Sequence, residues 1–364
     1  MKPLLRILIL ETDANMRLQF AENIRETALR FGRHDVDIDV IECGDVACVL
    51  DSVRDDGDIQ AVILSWSEMP DASSQSRAAL IDEIKSIRLE LPVYVVADDS
   101  LDPAYRALMI ALPSQSELAE RIHAHAGTAP DPMAIWQALE TLSELRATRC
   151  ADLLTDLARE ARVDAPYAPD ATQSGKRALG GAVLAMTTRL DGGAAAEAQY
   201  ATADNMTLQL SALACLMRAG KAGTALDAFE RQWRHDRLVM DKWFGLQITE
   251  AGPEDAARRA QALVQHPAFD LKNPNRFRAV FGALAANHVG FHRADGAAYD
   301  LLADWLIRLD DLNPQTTARM CGAFQTWTRY DADRQALMRA ALERIAAKPD
   351  LSRDTGEMVS RLLS

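Results

Sequence analysis

At 364 residues, with 48% apolar and 26% charged side chains, the chain has the composition of a soluble globular protein of about two to three domains. Its 53 acidic against 40 basic side chains give a formal charge of −13, which argues against nucleic acid or an anionic membrane as partner, since both need clustered Lys and Arg. Residues 1–100 carry 20 acidic and 10 basic side chains, leaving 33 and 30 for the rest, so the two regions differ in kind. The opening apolar run Ile7–Leu10 is too short for a signal-peptide core and is followed at once by Glu11 and Asp13. It reads as a first strand. No run approaches the roughly 18 apolar residues of a membrane helix. The cysteines (Cys43, Cys48, Cys150, Cys215, Cys321) are scattered, odd in number and without a CxxC pair, the pattern of free thiols in a reducing compartment. A cytoplasmic location is expected.

In chain order, Leu4–Leu10 has the continuous apolar character of a strand buried on both faces of a parallel sheet. A helix follows, with Met16, Phe20, Ile24 and Leu29 along one side and Gly32 at its end. Val36, Ile38 and Val40 alternate with Asp37 and Asp39, which predicts a half-exposed edge strand. A short helix over about 45–54, a strand at Ala61–Leu64, a helix around 77–89 and a strand at Val93–Ala97 complete the pass. This rhythm predicts a doubly wound α/β fold of about four parallel strands.

Receiver domains of two-component systems share that rhythm. They need an acidic pair after the first strand, which Glu11 and Asp13 could supply, and a phosphoacceptor Asp at the end of the third. Here that place is Ser65, whose hydroxyl is no carboxylate acceptor, so phosphotransfer is not expected and the acids read as a solvated strand end. The phrases "LRILILETDANMRLQFAENIRETALRFG", "VDIDVIECGDVACVLDSV", "AVILSW" and "LPVYVVADD" resemble the receiver-like N-terminal domain of the ornithine/lysine/arginine decarboxylases. The resemblance implies an assembly domain without phosphotransfer over residues 1–100. It stops after four strands, short of the strand and helix that close the family's domain, which predicts an open sheet edge. The family's pyridoxal-phosphate lysine follows a histidine, and no His-Lys dipeptide occurs in this chain.

From residue 103 to 364 the period changes to three and four. Ala225, Phe229 and Trp233, then Phe277, Val280, Phe281 and Leu284, then Leu302, Trp305 and Leu309 fall on helix faces. Asp102-Pro103, Asp131-Pro132, Asn273-Pro274 and Asn313-Pro314 each place a side-chain cap before a proline at the first helical position. The pattern predicts an all-α superhelical, solenoid-like domain, with Gly192-Gly193 as a flexible joint.

The phrases "ALPSQSELAERI", "LVMDKWF", "HPAFDLKNPNRFRAVFGALAANHVGFHRADGAAYDLLAD", "LNPQTTAR" and "RYDADRQALMRAALERI" resemble the C-terminal helical domain of bacterial aminopeptidase N, a zinc exopeptidase. The likeness runs from about Leu108 to Ser364, with a looser stretch over Thr148–Gly193. It implies a domain that closes over a catalytic domain and walls a substrate chamber. In that setting Asn275, Arg276 and Arg278 of "NPNRFR" are the substrate-facing candidates, the arginines reaching a peptide carboxylate or backbone. The alternative is that Asn273 and Pro274 only cap a helix and the arginines pair with acids. Trp243 reads as an inward-packed side chain.

The zinc chemistry of that family needs a HExxH helix. No His-Glu dipeptide occurs, and the GAMEN loop that captures the substrate amine is absent. His123 and His125 are two apart, a poor metal pair on a helix. His288 and His292 are four apart and could hold zinc in principle, with a capped helix end as the other reading. No catalytic residue, metal site or cofactor is therefore assigned. The sequence predicts a non-catalytic two-domain protein that self-associates through its N-terminal domain and binds, if anything, a peptide or an aminopeptidase catalytic domain. A second reading makes it the chamber-closing part of an enzyme whose zinc site lies on another chain. A third makes it a fusion or fragment, because the junction near Asp99–Tyr105 falls inside both families' domains.

Overall fold

The computed structural model describes residues 4–11, 14–30, 37–65, 74–88, 91, 93–96 and 102–364. The chain divides into two compact units, Met1–Asp102 and Pro103–Ser364.

In the first unit β1 (Leu4–Leu10) pairs in parallel with β2 (Asp37–Cys43) and with β3 (Ile59–Ser65), and β3 pairs with β4 (Val93–Val96). The order β2-β1-β3-β4 leaves β2 and β4 at the edges among the described residues. Because alternate side chains of β1 are buried on opposite faces of the sheet, its run Ile7–Leu10 is apolar throughout, while Arg6 pairs with Asp39 and Asp56. Leu8 and Leu10 join Val49 and Val53 of α2 (Val46–Asp55) and Leu80 and Ile84 of α3 (Ser74–Ile87) on one side. Ile7 and Ile9 join Val40 and Ala21 of α1 (Ala14–Arg30) on the other. Each fully buried Leu or Ile contributes about 1.5–3 kcal/mol. Asp45 caps α2 by accepting from the Cys48 N–H at 2.8 Å. Phe20 and Leu29 as side chains, and Asp13, Gly32, His34, Val36 and Ala97 as residues, lie outside what is described.

Two expectations are corrected here. Glu11 is not a solvated strand end: it is fully buried and accepts a hydrogen bond from the Ser65 hydroxyl at the end of β3. The neighbouring strands β1 and β3 bring the two side chains together at their carboxyl ends, and the hydroxyl gives the carboxyl group a partner there. Cys43 and Cys48 are not free thiols but form a disulfide, because the tight β2–α2 turn puts their Cα atoms 5.5 Å apart. Cys150, Cys215 and Cys321 are free.

The second unit is helical throughout. It begins with α4 (Pro103–Met109), α5 (Gln115–Arg121), α6 (Pro132–Arg149), α7 (Ala151–Glu160) and α8 (Ala171–Asp191). It continues through α9 (Ala194–Thr202), α10 (Met206–Arg218), α11 (Gly223–Trp233), α12 (Arg237–Thr249) and α13 (Ala256–Leu263). Three short helices follow, α14 (Pro274–Phe277), α15 (Ala283–Ala286) and α16 (His288–Phe291), then α17 (Ala297–Asp310), α18 (Pro314–Cys321), α19 (Ala332–Ala346) and α20 (Arg353–Leu363). Three of the predicted caps are in place: Asp131, Asn273 and Asn313 each accept from N–H groups of the following turn. One apolar core runs from Leu184 to Val359. A smaller cluster of Leu154, Leu157, Ala161, Leu179 and Val183 binds α7 to α8. The Gly192-Gly193 pair is a built corner rather than a loose joint. Both residues have positive φ, and a Cβ on Gly193 would meet Ala219 at 3.2 Å.

Candidate functional site

The "NPNRFR" segment forms α14 and runs into a π turn at Arg278–Gly282 before α15, so residues 274–286 make one irregular rod. Asn273 caps it, accepting from the Asn275 N–H at 3.1 Å. The three predicted site residues separate. Arg276 is 4% exposed, and its guanidinium is used up internally: Nε donates to Asp241 at 2.5 Å, Nη1 to the Ala268 carbonyl, and the group lies 4.4 Å over the Phe244 ring. Asn275 is exposed and accepts from Arg278 at 2.5 Å, which leaves these two at the surface. Arg276 thus joins "LVMDKWF" to "NPNRFR" through one buried ion pair. Sequence reasoning treated the two phrases separately. The available signal was Arg276 sitting next to Phe277 on the inward face of a capped helix. Trp243 packs inward as expected, donating its indole N–H to the Leu226 carbonyl at 3.1 Å.

His288 and His292 lie together in the core rather than at a metal centre. His288 Nε2 bonds to the Tyr330 hydroxyl at 2.9 Å and His292 Nδ1 to the Tyr299 hydroxyl at 2.8 Å. The His292 ring stacks on Tyr330 at 4.1 Å. Burial, reinforced by the Arg334 guanidinium, pushes His288 down to about 4. Burial, then His288, then Arg334 push His292 in the same direction. Both rings are therefore neutral at pH 7. Asn287 caps the turn that carries them and donates to the Ile248 and Ala251 carbonyls at 2.8 Å each. Gly290 allows this close packing, since a Cβ there would meet Ala256 at 2.5 Å. Among the described residues, no group of three or more His, Cys, Asp or Glu side chains is placed to hold a metal ion. The donor set does not fit a zinc site of the HExxH kind.

The residues that do enclose a space were not predicted. A chamber of about 690 Å³ lies where the carboxyl ends of α8, α10 and α12 meet α6, the start of α5 and the turn at α16. Its charged lining is two acid–base pairs. Arg189 donates to both carboxylate oxygens of Glu140 at 2.9 and 3.1 Å, and Arg218 donates to Glu250. Gln115 and His288 line it as well. Their positions, scattered over residues 115–288, gave no local motif to read.

Residues 65–364 match the family model described as a domain of unknown function (DUF3458_C), ARM repeats. The match reaches back into the end of β3, so it crosses the division between the two compact units. Among curated proteins, aminopeptidase N of Caulobacter vibrioides is 37% identical over 274 residues, 74% of this chain and 31% of the relative. Aminopeptidase N of Escherichia coli K12 is 34% identical over 289 residues, 76% of this chain and 32% of the relative. That of Haemophilus influenzae is 42% identical over 168 residues, 45% and 19% respectively. This chain therefore spans a third or less of the length of these relatives. A crystal structure of Legionella pneumophila aminopeptidase A in complex with aspartic acid matches with a TM-score of 0.66 at 24% identity, over 90% of this chain and 39% of that one, a likeness of fold. The chain belongs to the DUF3458_C family of ARM-repeat domains, the C-terminal helical domain of aminopeptidase N.

Proposed function

We propose that this chain is a non-catalytic two-domain protein, in which a receiver-like assembly domain carries an aminopeptidase N-type helical domain that acts by binding. The observation that carries the reading is the pairing of family membership over residues 65–364 with a sequence that lacks the HExxH and GAMEN motifs of the zinc peptidase. The parallel order β2-β1-β3-β4 and the resemblance of residues 1–100 to decarboxylase N-terminal domains support self-association through the first unit. The exposed Asn275, with the half-buried Arg278 hydrogen-bonded to it, supports a peptide contact on the helical unit. No helix among the described residues is long and apolar enough to cross a membrane. A cytoplasmic setting rests on the free thiols Cys150, Cys215 and Cys321, against which stands the Cys43–Cys48 bond.

A second reading, supported by the likeness of residues 65–364 to the helical domain of aminopeptidase N, makes it the chamber-closing part for a separate zinc-bearing chain. The test is zinc content and hydrolysis of an alanyl chromogenic amide by the purified chain, alone and mixed with an aminopeptidase N lacking its helical domain. The proposal expects no zinc on this chain and no turnover, whether the chain is alone or in the mixture. Activity only in the mixture supports the second reading. Stoichiometric zinc and turnover by the chain alone overturn both.

A further inference from the structure

We infer that Cys43 and Cys48 are a redox-active pair whose disulfide opens and closes by exchange with a thiol partner, Cys48 being the sulfur that is attacked. The free thiols Cys150, Cys215 and Cys321 fit a reducing compartment, where a disulfide is usually transient or redox-sensing rather than structural. One chain therefore holds both thiol states, and a reversible bond reconciles them. The bond is also not alone in holding its turn. It links residues with a sequence separation of 5, and short loops restrain the unfolded chain least. Cys43 stands opposite Leu10 in the β1–β2 ladder, and its carbonyl accepts from the Glu11 N–H at 3.1 Å. Asp45 caps α2, and Val49 and Val53 bury its inner face. These holds persist when the bond opens.

The two sulfurs differ in access. Cys43 is fully buried in the cluster of Leu8, Leu10 and Val49, whereas Cys48 is half-buried in the first turn of α2. An incoming thiolate therefore meets the Cys48 Sγ first, bonds to it, and sends the electron pair of the broken S–S bond to the Cys43 Sγ. Ser52 is placed for that step. Its Oγ lies 3.8 Å from the Cys43 Sγ, and since a bonded sulfur carries no hydrogen, the hydroxyl is the donor. A second thiol then attacks the partner's sulfur in the mixed disulfide and releases Cys48 as a thiolate in the first turn of α2, where the helix dipole favours negative charge. The two incoming thiols leave as a disulfide, and their two protons and two electrons end on Cys43 and Cys48. Opening the bond frees the start of α2 from the end of β2, beside Glu11 and the Arg17 guanidinium that donates to its carbonyl.

Neither outcome of the zinc and hydrolysis test bears on this bond, which is tested on the full chain in glutathione buffers from reduced to oxidised. After equilibration the thiols are quenched in acid, alkylated in denaturant and read by mass spectrometry. The expected result is interconversion of the bonded and dithiol forms of the pair in both directions. In the native reduced chain, a short iodoacetamide pulse should label Cys48 about tenfold faster than Cys43. Amide exchange over residues 46–50 should quicken on reduction while β1 and β3 keep their protection. Cys48→Ser should hold residues 46–50 in the fast state in every buffer. A bond that survives excess dithiothreitol in folded protein overturns the inference and marks the pair as structural. So does a pair that stays reduced in oxidised glutathione, labels Cys43 as fast as Cys48, or takes the protection of β1 and β3 with it on reduction.

Discussion

The two units solve the burial of polar groups differently. In the sheet unit the core is split by the strands into two thin layers, and the one buried carboxyl group described there, Glu11, has its hydroxyl partner across a single strand pair. Around it the unit relies on covalent and surface ties: the Cys43–Cys48 bond, and Arg6 bridging Asp39 and Asp56 at 3.0 and 2.6 Å. In the helical unit the core is continuous, and polar side chains are carried into it as whole networks. Arg276 enters with Asp241 and Phe244, while His288 and His292 enter with Tyr330 and Tyr299. A thick core supports polar groups that a two-layer sheet of this size cannot surround.

The largest effect that would sharpen this contrast is truncation in the continuous core. Phe281 is fully buried, 4.6 Å from the Phe277 ring and 5.5 Å from that of Trp305. Phe281→Ala is expected to destabilise the helical unit by about 3–5 kcal/mol. Peptide-resolved hydrogen exchange should show faster exchange in α12, α15 and α17 and unchanged protection in β1. Equal loss of protection in β1 would mean that the two units unfold as one, and the contrast would dissolve.

A second test uses acid. His288 titrates at about 4 in the folded chain against roughly 6.5 in the unfolded one. The unfolded chain therefore binds the proton first, so stability is complete above pH 6.5 and falls as pH drops toward 4. The slope is about 1.4 kcal/mol per pH unit for each buried histidine, and His292 adds in the same sense. Between pH 6.5 and 5 these rings dominate. Asp310 lies below that window, because hydrogen bonds from Ser352 and Thr355 and the nearby Lys348 outweigh the upward push of burial. Denaturant midpoints of the helical unit should fall over this range and flatten in a His288→Gln, His292→Gln double variant. A slope unchanged by the double substitution would remove the histidines from the account.

What the sequence made legible follows from how local each signal is. The β1 run, the Asn273 and Asn313 caps and the inward Trp243 depend on neighbours within a turn or a strand, and the structure has them as read. The Arg276–Asp241 pair spans 35 positions and the Arg189–Glu140 pair 49, with no periodicity linking their ends. For that reason the sequence left Arg276 between a ligand contact and a pair with an unnamed acid, and the chamber did not read at all. Cys43 and Cys48 are five apart, but only the turn that reverses β2 into α2 brings their sulfurs together.

The smallest expected effect probes the sheet unit at Glu11. Ser65 occupies the place at which a receiver domain would carry its acceptor carboxylate, and its hydroxyl donates to Glu11 instead. Ser65→Ala removes that donor while keeping the strand, and should destabilise the first unit by about 1 kcal/mol. Ser65→Asp should cost more than Ser65→Ala, because a second carboxylate against a fully buried one cannot ionise without repulsion. Exchange rates at β1 and β3 amides would report both substitutions, with the helical unit as internal reference. If Ser65→Asp proved the milder of the two, the site would tolerate paired acids. Glu11 would then belong to a receiver-like acidic cluster rather than to a hydrogen bond that closes the end of the sheet.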